Sequence, residues 1–109
     1  MSSTCTKPRV ICDKGVMTML LPNCIETITE GMYQPQDFAM VTRLVIAPSV
    51  VEIGRKAFDG WKNLTEVVFM TNGHLQKIGA RAFADTSLQS LKLPPTLVEI
   101  DASAFRSCV

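Results

Sequence analysis

An Ile-x-x-x-Ala-Phe pattern recurs along the chain and constrains the fold more than any other feature of the sequence. Ile53, Ile78 and Ile100 lie 25 and 22 residues apart, and each is followed by Ala-Phe four and five positions later. Ile28, 25 residues before Ile53, is followed at the same offsets by Met32-Tyr33, a degenerate apolar and aromatic copy. Self-similarity at such a period is typical of stacked-repeat proteins. The sequence therefore predicts a solenoid.

A second apolar pattern precedes each Ile in the same phase. It has the form L-x-x-L-x-L, with copies at Val16/Met19/Leu21, Val41/Leu44/Ile46, Leu64/Val67/Phe69 and Leu88/Leu91/Leu93. The last part of each copy alternates, which favours a short strand with alternate side chains inward. Proline follows three of the copies, at Pro22, Pro48 and Pro94-Pro95, and ends a strand because it has no N–H to donate. Each unit is too small to bury its apolar side alone, so stacking on neighbouring units must bury it.

The repeats resemble a known family. The stretches LVIAPSVVEIGRKAFDGWKNL (44–64) and LKLPPTLVEIDASAFRSC (91–108) are similar to the BspA-like (Treponema pallidum-type) leucine-rich repeats. The Cys that follows Ala-Phe in that family is present at Cys108, whereas Trp61 and Thr86 replace it in the other two clear copies. The resemblance covers about residues 16–109, and the unit with Met32-Tyr33 departs most from the pattern.

The resemblance implies a fold and a class of function. The expected fold is an α/β leucine-rich-repeat right-handed solenoid, with a short parallel sheet on one face and turns or short helices on the other. About four units are expected, at 16–40, 41–63, 64–87 and 88–109, after an irregular or capping segment at 1–15. Members of the family are similar to surface adhesins and host-contact proteins and bind other proteins. The repeat is not associated with catalysis.

The strand pattern also predicts which side chains point away from the core. The central outward column carries three apolar residues and a lysine, and charged residues flank it. An apolar centre with a polar rim is typical of protein interfaces. The predicted partner-binding residues are Leu20, Arg43, Val45, Glu66, Val68, Met70 and Lys92. The alternative is that the outward β-branched residues only favour strand formation and that Arg43 and Glu66 form a weak cross-strand ion pair.

Another exposed column alternates in charge. Glu52, Lys77 and Glu99 each precede a repeat Ile. We expect a solvated row of charges between neighbouring units rather than a binding site.

Composition and motifs argue against several classes of function. The 109 residues, of which 47% are hydrophobic, suffice for one domain. A net charge of +1 creates no strong electrostatic field that would attract nucleic acid or anionic membranes. No apolar run is long enough for a membrane span or a signal peptide, so the default expectation is a cytoplasmic protein, or a cell-surface protein if the chain is a fragment. His74 is the only histidine, and no phosphate-binding loop or nucleophile motif occurs. We predict no enzyme, cofactor or metal.

The four cysteines form no recognisable framework. Cys5, Cys12, Cys24 and Cys108 contain no Cys-x-x-Cys pair, and their spacing favours none of the three pairings. We expect reduced and mostly buried thiols, with Cys5 and Cys12 as the exceptions because they lie in the least regular segment.

Two functions from different classes remain. The first is a protein-protein interaction module that binds a partner through the exposed face of the parallel sheet. The alternative is a structural segment or self-associating unit of a longer repeat array, as in surface or adhesin-type proteins. The repeat leaves the last unit open near Cys108, and an open end exposes strand edges, which predicts a homo-oligomer through that end.

Overall fold

The solenoid expected from the repeat is present in a computed structural model, which describes residues 8–70, 73–91 and 93–105. Within these ranges every regular element is a strand: β1 (Arg9–Asp13), β2 (Val16–Leu20), β3 (Thr27–Ile28), β4 (Arg43–Ile46), β5 (Glu52–Ile53), β6 (Glu66–Phe69), β7 (Lys77–Ile78), β8 (Ser90–Leu91) and β9 (Glu99–Ile100). Lys92, one of the residues predicted to form the binding surface, lies outside the described ranges.

The strands form two sheets that run along the stack. The front sheet has the order β1-β2-β4-β6-β8, and the rear sheet has the order β3-β5-β7-β9. All neighbours pair in parallel except β1 and β2, which are antiparallel. Each unit contributes one strand to each sheet, and the chain completes about three turns between β2 and β8.

The α/β class and the short helices are wrong for the described residues, because the Ala-Phe segments form turns. Lys56 and Arg81, at the same position of successive units, both have φ of 57°, and a left-handed residue interrupts a right-handed helix. The backbone N–H groups of these turns also bond to the next unit, as in Phe58 N–H to Ala82 C=O at 2.7 Å. Since those N–H groups already bond to a neighbouring turn, an internal helical ladder does not form.

The core lies between the two sheets and the turn segments. The repeat isoleucines Ile28, Ile53 and Ile78 are fully buried and lie side by side along the rear sheet. The aromatic residues of the four units form a stack, with ring centroids 6.4 Å, 5.4 Å and 5.5 Å apart from Tyr33 through Phe58 and Phe83 to Phe105. The degenerate Met32-Tyr33 copy therefore occupies the position of Ala-Phe, as the sequence indicated.

An antiparallel hairpin covers the first parallel strand, where the sequence analysis expected an irregular or capping segment. β1 and β2 are joined by Lys14-Gly15, both at positive φ (53° and 82°), which suits the two-residue turn of a twisted hairpin. The irregular part of that expectation is wrong for Arg9–Asp13, which forms β1.

Two residues predicted to point inward are exposed. Val16 is 41% exposed because β2 begins at this residue, so Val16 and the buried Met19 lie on opposite faces of one strand. Leu93, which belongs to the last unit, is 42% exposed. The L-x-x-L-x-L pattern thus places its first residue in the core only where that residue precedes the strand, as Val41 does.

Candidate protein-interaction site

The outward side of the front sheet, here called the front face, carries the residues predicted to bind a partner. The register pairs Leu20 with Val45 and Val45 with Val68. It also pairs Arg43 with Glu66. The two columns deduced from the repeat are therefore present across β2, β4 and β6. Whether they bind a partner stays a prediction.

Most side chains of the apolar column are less exposed than the alternating pattern suggests. Leu20, Val45 and Val68 are half-buried, because each lies between the side chains of neighbouring strands, whereas Met70 just after β6 is 47% exposed. The structure brings Leu20, Val45 and Met70 to one depression of about 420 Å³. Val68 does not line this depression.

The depression also includes residues outside the predicted binding surface. Its remaining lining residues are Arg9, Leu21, Pro22, Asn23 and Ala47. Arg9 is present because β1 pairs with β2 and places Arg9 opposite Leu20. The signal for this hairpin was the Lys14-Gly15 turn between two short apolar runs. The result is an apolar site with an exposed arginine at its edge.

Arg43 and Glu66 form the predicted cross-strand ion pair. Arg43 Nε lies 3.7 Å from Glu66 Oε1, and the two side chains are 42% and 51% exposed. A solvated pair at this distance contributes about 0.2–1 kcal/mol at most. Both side chains are partly exposed, although the Arg43 Nε atom itself is buried and has no hydrogen-bond partner among the described residues.

On the rear sheet, Glu52, Lys77 and Glu99 are aligned by the register. Lys77 and Glu99 are exposed and Glu52 is partly buried, and no ion pair within 4.0 Å joins the three among the described residues. That this row has no binding role stays a prediction.

The titratable groups offer no constellation for catalysis within the described part of the chain. His74 is exposed, and no group of three His, Cys, Asp or Glu residues there could hold a metal ion. Burial raises the pKa of Tyr33 to about 12, so its phenol stays protonated at neutral pH. Hydrogen bonds from the backbone N–H and the hydroxyl of Ser103, at 3.0 Å and 2.8 Å, lower the pKa of Asp101.

The expectation of a reduced and buried thiol is wrong for Cys24 but not for Cys12, which is one of the two expected exceptions. Cys12 is a free thiol and lies exposed on β1. Cys24 is exposed and disulfide-bonded. Cys5 and Cys108 lie outside the described residues.

No helix suited in length and hydropathy to crossing a membrane occurs in residues 8–70, 73–91 and 93–105.

The comparisons with known proteins agree with the repeat architecture. The family described as BspA type leucine-rich repeat region matches residues 36–109 in six copies. The match begins within the first unit expected from the sequence, where the pattern is most degenerate. Searches of curated proteins and of solved structures found no significant match.

Proposed function

Because the chain belongs to the BspA-type leucine-rich repeat family, we propose that it is a non-enzymatic interaction module whose front face binds a protein partner. Repeats of this family point to a protein-interaction or repeat module and are generally non-enzymatic. That the partner is a protein and that it binds to the front face are proposals that go beyond family membership. The geometry of the front face supports both.

The depression at Leu20, Val45 and Met70 is the observation that carries the proposal. It is concave, about 420 Å³ in volume, and most of its lining residues are apolar. Interfaces concentrate their binding energy where an apolar side chain enters a pocket and is surrounded by polar residues. The occupant that fits is an apolar side chain of the partner, with an acidic group nearby to meet Arg9.

The test compares two double variants that differ only in location. Val45→Glu with Met70→Glu introduces two carboxylates into the depression. Met40→Glu with Val98→Glu makes the same substitutions at residues that are 71% and 83% exposed and do not line it. Circular dichroism first establishes that both variants are folded.

Affinity capture with the whole chain identifies the partners, and titration of each purified partner measures its affinity for the wild type and for the two variants. A partner that binds the wild type and the M40E/V98E control should bind V45E/M70E at least about tenfold more weakly, because burying an unpaired carboxylate is costly. A partner that binds all three proteins equally would exclude the front face.

A second candidate function, a segment of a longer repeat array, is supported by the last unit. Ile100 is 40% exposed, although its equivalents Ile28, Ile53 and Ile78 are fully buried. A further unit stacked on β9 would bury the Ile100 side chain, as each inner unit does for the equivalent Ile of its neighbour.

Stacking is tested by adding a repeat unit after the chain. A fused copy of an inner unit with intact Ile and Ala-Phe should raise the thermal midpoint of unfolding by several degrees. Burying the exposed apolar side chains should add about 1 kcal/mol to the free energy of unfolding, and a gain of that size has this effect in a domain of about 100 residues. A fusion in which the added Ile and Phe are replaced by Asp is the control. Equal midpoints for the two fusions would contradict stacking.

A further inference from the structure

The outer edge of β1 is the longest unpaired strand edge in the described part of the chain. β1 has five residues, all exposed, and no described strand pairs with its other side. At the opposite edges of the two sheets, β8 and β9 have two residues each. Protein sheets usually protect edges with proline, lysine, bulges or short strands. The interior of β1 has none of these, and its pairing with β2 is continuous.

The hairpin decides which backbone groups of β1 are available. A two-residue turn closes on a hydrogen-bonded pair, here Asp13 with Val16, and hydrogen-bonded pairs then alternate along the strand. The backbone groups of Arg9, Ile11 and Asp13 therefore face β2. Those of Val10 and Cys12 face outward, where a further strand can bond to them.

The side chains of β1 are complementary to a second, antiparallel copy of the same strand. When the two copies are centred on Ile11, the Arg9 of each copy lies opposite Asp13 of the other, and Val10 lies opposite Cys12. In this register the outward backbone groups of Val10 and Cys12 form hydrogen-bonded pairs, and the two Ile11 side chains meet at a non-hydrogen-bonded pair, where side chains approach most closely.

The charges of β1 favour this register over a shift by one residue. Among the described residues, Arg9 and Asp13 have no ion-pair partner within the chain. Centring the pair on Cys12 instead would place Ile11 opposite Asp13 and Val10 opposite Lys14. Two apolar side chains would then face charged groups, and both Arg9–Asp13 pairs would be lost.

We propose that β1 is a homodimerisation strand, and that two copies of the chain pair through β1 in antiparallel orientation centred on Ile11. Residues 9, 11 and 13 lie on the front face because Arg9 pairs with Leu20 and Ile11 with Thr18. The dimer therefore joins two front sheets into one and places the two front faces side by side. The proposal does not depend on the identity of any other partner.

Charge reversal tests the register in the whole chain. Arg9→Asp places two aspartates opposite each other at both ends of the paired strands, and Asp13→Arg does the same with two arginines. Each single variant should weaken the dimer by about tenfold or more, because two attractive pairs become repulsive. The double variant R9D/D13R restores both attractive pairs and should return the dissociation constant to within about threefold of the wild type.

Disulfide trapping gives an independent readout that does not depend on charge. In a Cys12→Ser background, Ile11→Cys places two thiols opposite each other across the dimer axis, and mild oxidation should link the two chains. Val10→Cys in the same background is the matched control, since Val10 and Ile11 are 41% and 43% exposed. In the proposed register the two copies of residue 10 are too far apart to form a disulfide.

Sedimentation equilibrium of the wild type and these variants decides the outcome. A concentration-dependent dimer that is weakened by each single reversal, restored by R9D/D13R and linked by I11C/C12S supports the proposal. A monomer at high concentration overturns it. A dimer that is insensitive to the β1 changes but lost on Ile100→Lys also overturns it, because pairing would then occur at the other end of the solenoid.

Discussion

The inner units and the last unit carry nearly the same motif but differ in how much of it they bury. Ile53 and Ile78 are fully buried, whereas Ile100 is 40% exposed. Phe58 and Phe83 each have an aromatic ring on both sides along the stack, whereas Phe105 stacks on Phe83 and is only partly buried. Burial in a solenoid therefore comes from the neighbouring units and not from the identity of the residue.

The largest expected difference between the two regions is in the aromatic stack. Phe83→Ala should lower the free energy of unfolding by about 3–5 kcal/mol, because it removes a fully buried ring between two others. Phe105→Ala should cost about half as much. Urea denaturation of the two variants measures both values. Equal losses would mean that the last unit is as well packed as the inner ones.

Close packing between units predicts the next largest effect, at a glycine. A Cβ added at Gly79 would lie 2.8 Å from Arg55 N and 3.0 Å from Gly54 C, so the backbones of two units would have to separate. We expect Gly79→Ala to cost about 1–3 kcal/mol.

Gly60→Ala is the control, because φ is +85° there but no atom lies within 4 Å of the added Cβ. Its cost should be about 1 kcal/mol, from backbone strain alone. If Gly79→Ala were no more destabilising than Gly60→Ala in denaturation experiments, contact between the units would not be tight at this position.

A smaller effect distinguishes the degenerate first unit from the inner ones. The Tyr33 hydroxyl is buried and has no hydrogen-bond partner in the part of the chain that the structure describes. Tyr33→Phe makes this unit match Phe58 and Phe83, and we expect a gain of up to about 1 kcal/mol in the free energy of unfolding.

The pH dependence provides a second measurement for the same variant. Burial raises the Tyr33 pKa from 10.0 to about 12. The contribution that this raised pKa makes to the free energy of unfolding is therefore fully present below pH 10 and is lost as the pH rises through the folded-state pKa. Y33F should not show this loss. An identical decrease in both proteins would attribute it to other groups.

The smallest expected effect concerns the turn of the last unit. Asp101, which follows Ile100, has a lowered pKa because its carboxylate accepts hydrogen bonds from Ser103. Because the pKa is lower in the folded state, Asp101 stabilises the fold at pH values above its unfolded-state pKa, near 3.8. This contribution is lost as the pH falls through the folded-state pKa. NMR titration should find the Asp101 pKa below 3.8 and closer to that value in Ser103→Ala. An unchanged pKa would show that these bonds are not formed in solution.

The repeat allowed most of the front face to be predicted without a structure. A constant phase between the apolar positions places equivalent residues in neighbouring strands, so the pairs Leu20–Val45 and Arg43–Glu66 follow from counting alone. Arg9 could not be placed in this way, because it belongs to no repeat and reaches the site only through the hairpin. The role of the front face in binding stays a prediction.

The turns show where the sequence pattern was insufficient. Ala-Phe with its flanking residues is compatible with a short helix or with a turn, since both bury a small residue and a ring on one side. Inter-unit hydrogen bonds such as Lys56 N–H to Ala80 C=O, 2.9 Å long, select the turn. These bonds form between residues distant in sequence, which local propensity does not describe.

The sequence by itself determined the stacking of the chain, the phase of its units and the residues that point inward in the inner units, because all three follow from apolar periodicity. Only the tertiary structure decided the antiparallel hairpin at β1, the absence of helix in the described residues and the exposure of Ile100. Each of these depends on which backbone or side chain lies next to a residue in space, and the repeat assigns neighbours only between consecutive units.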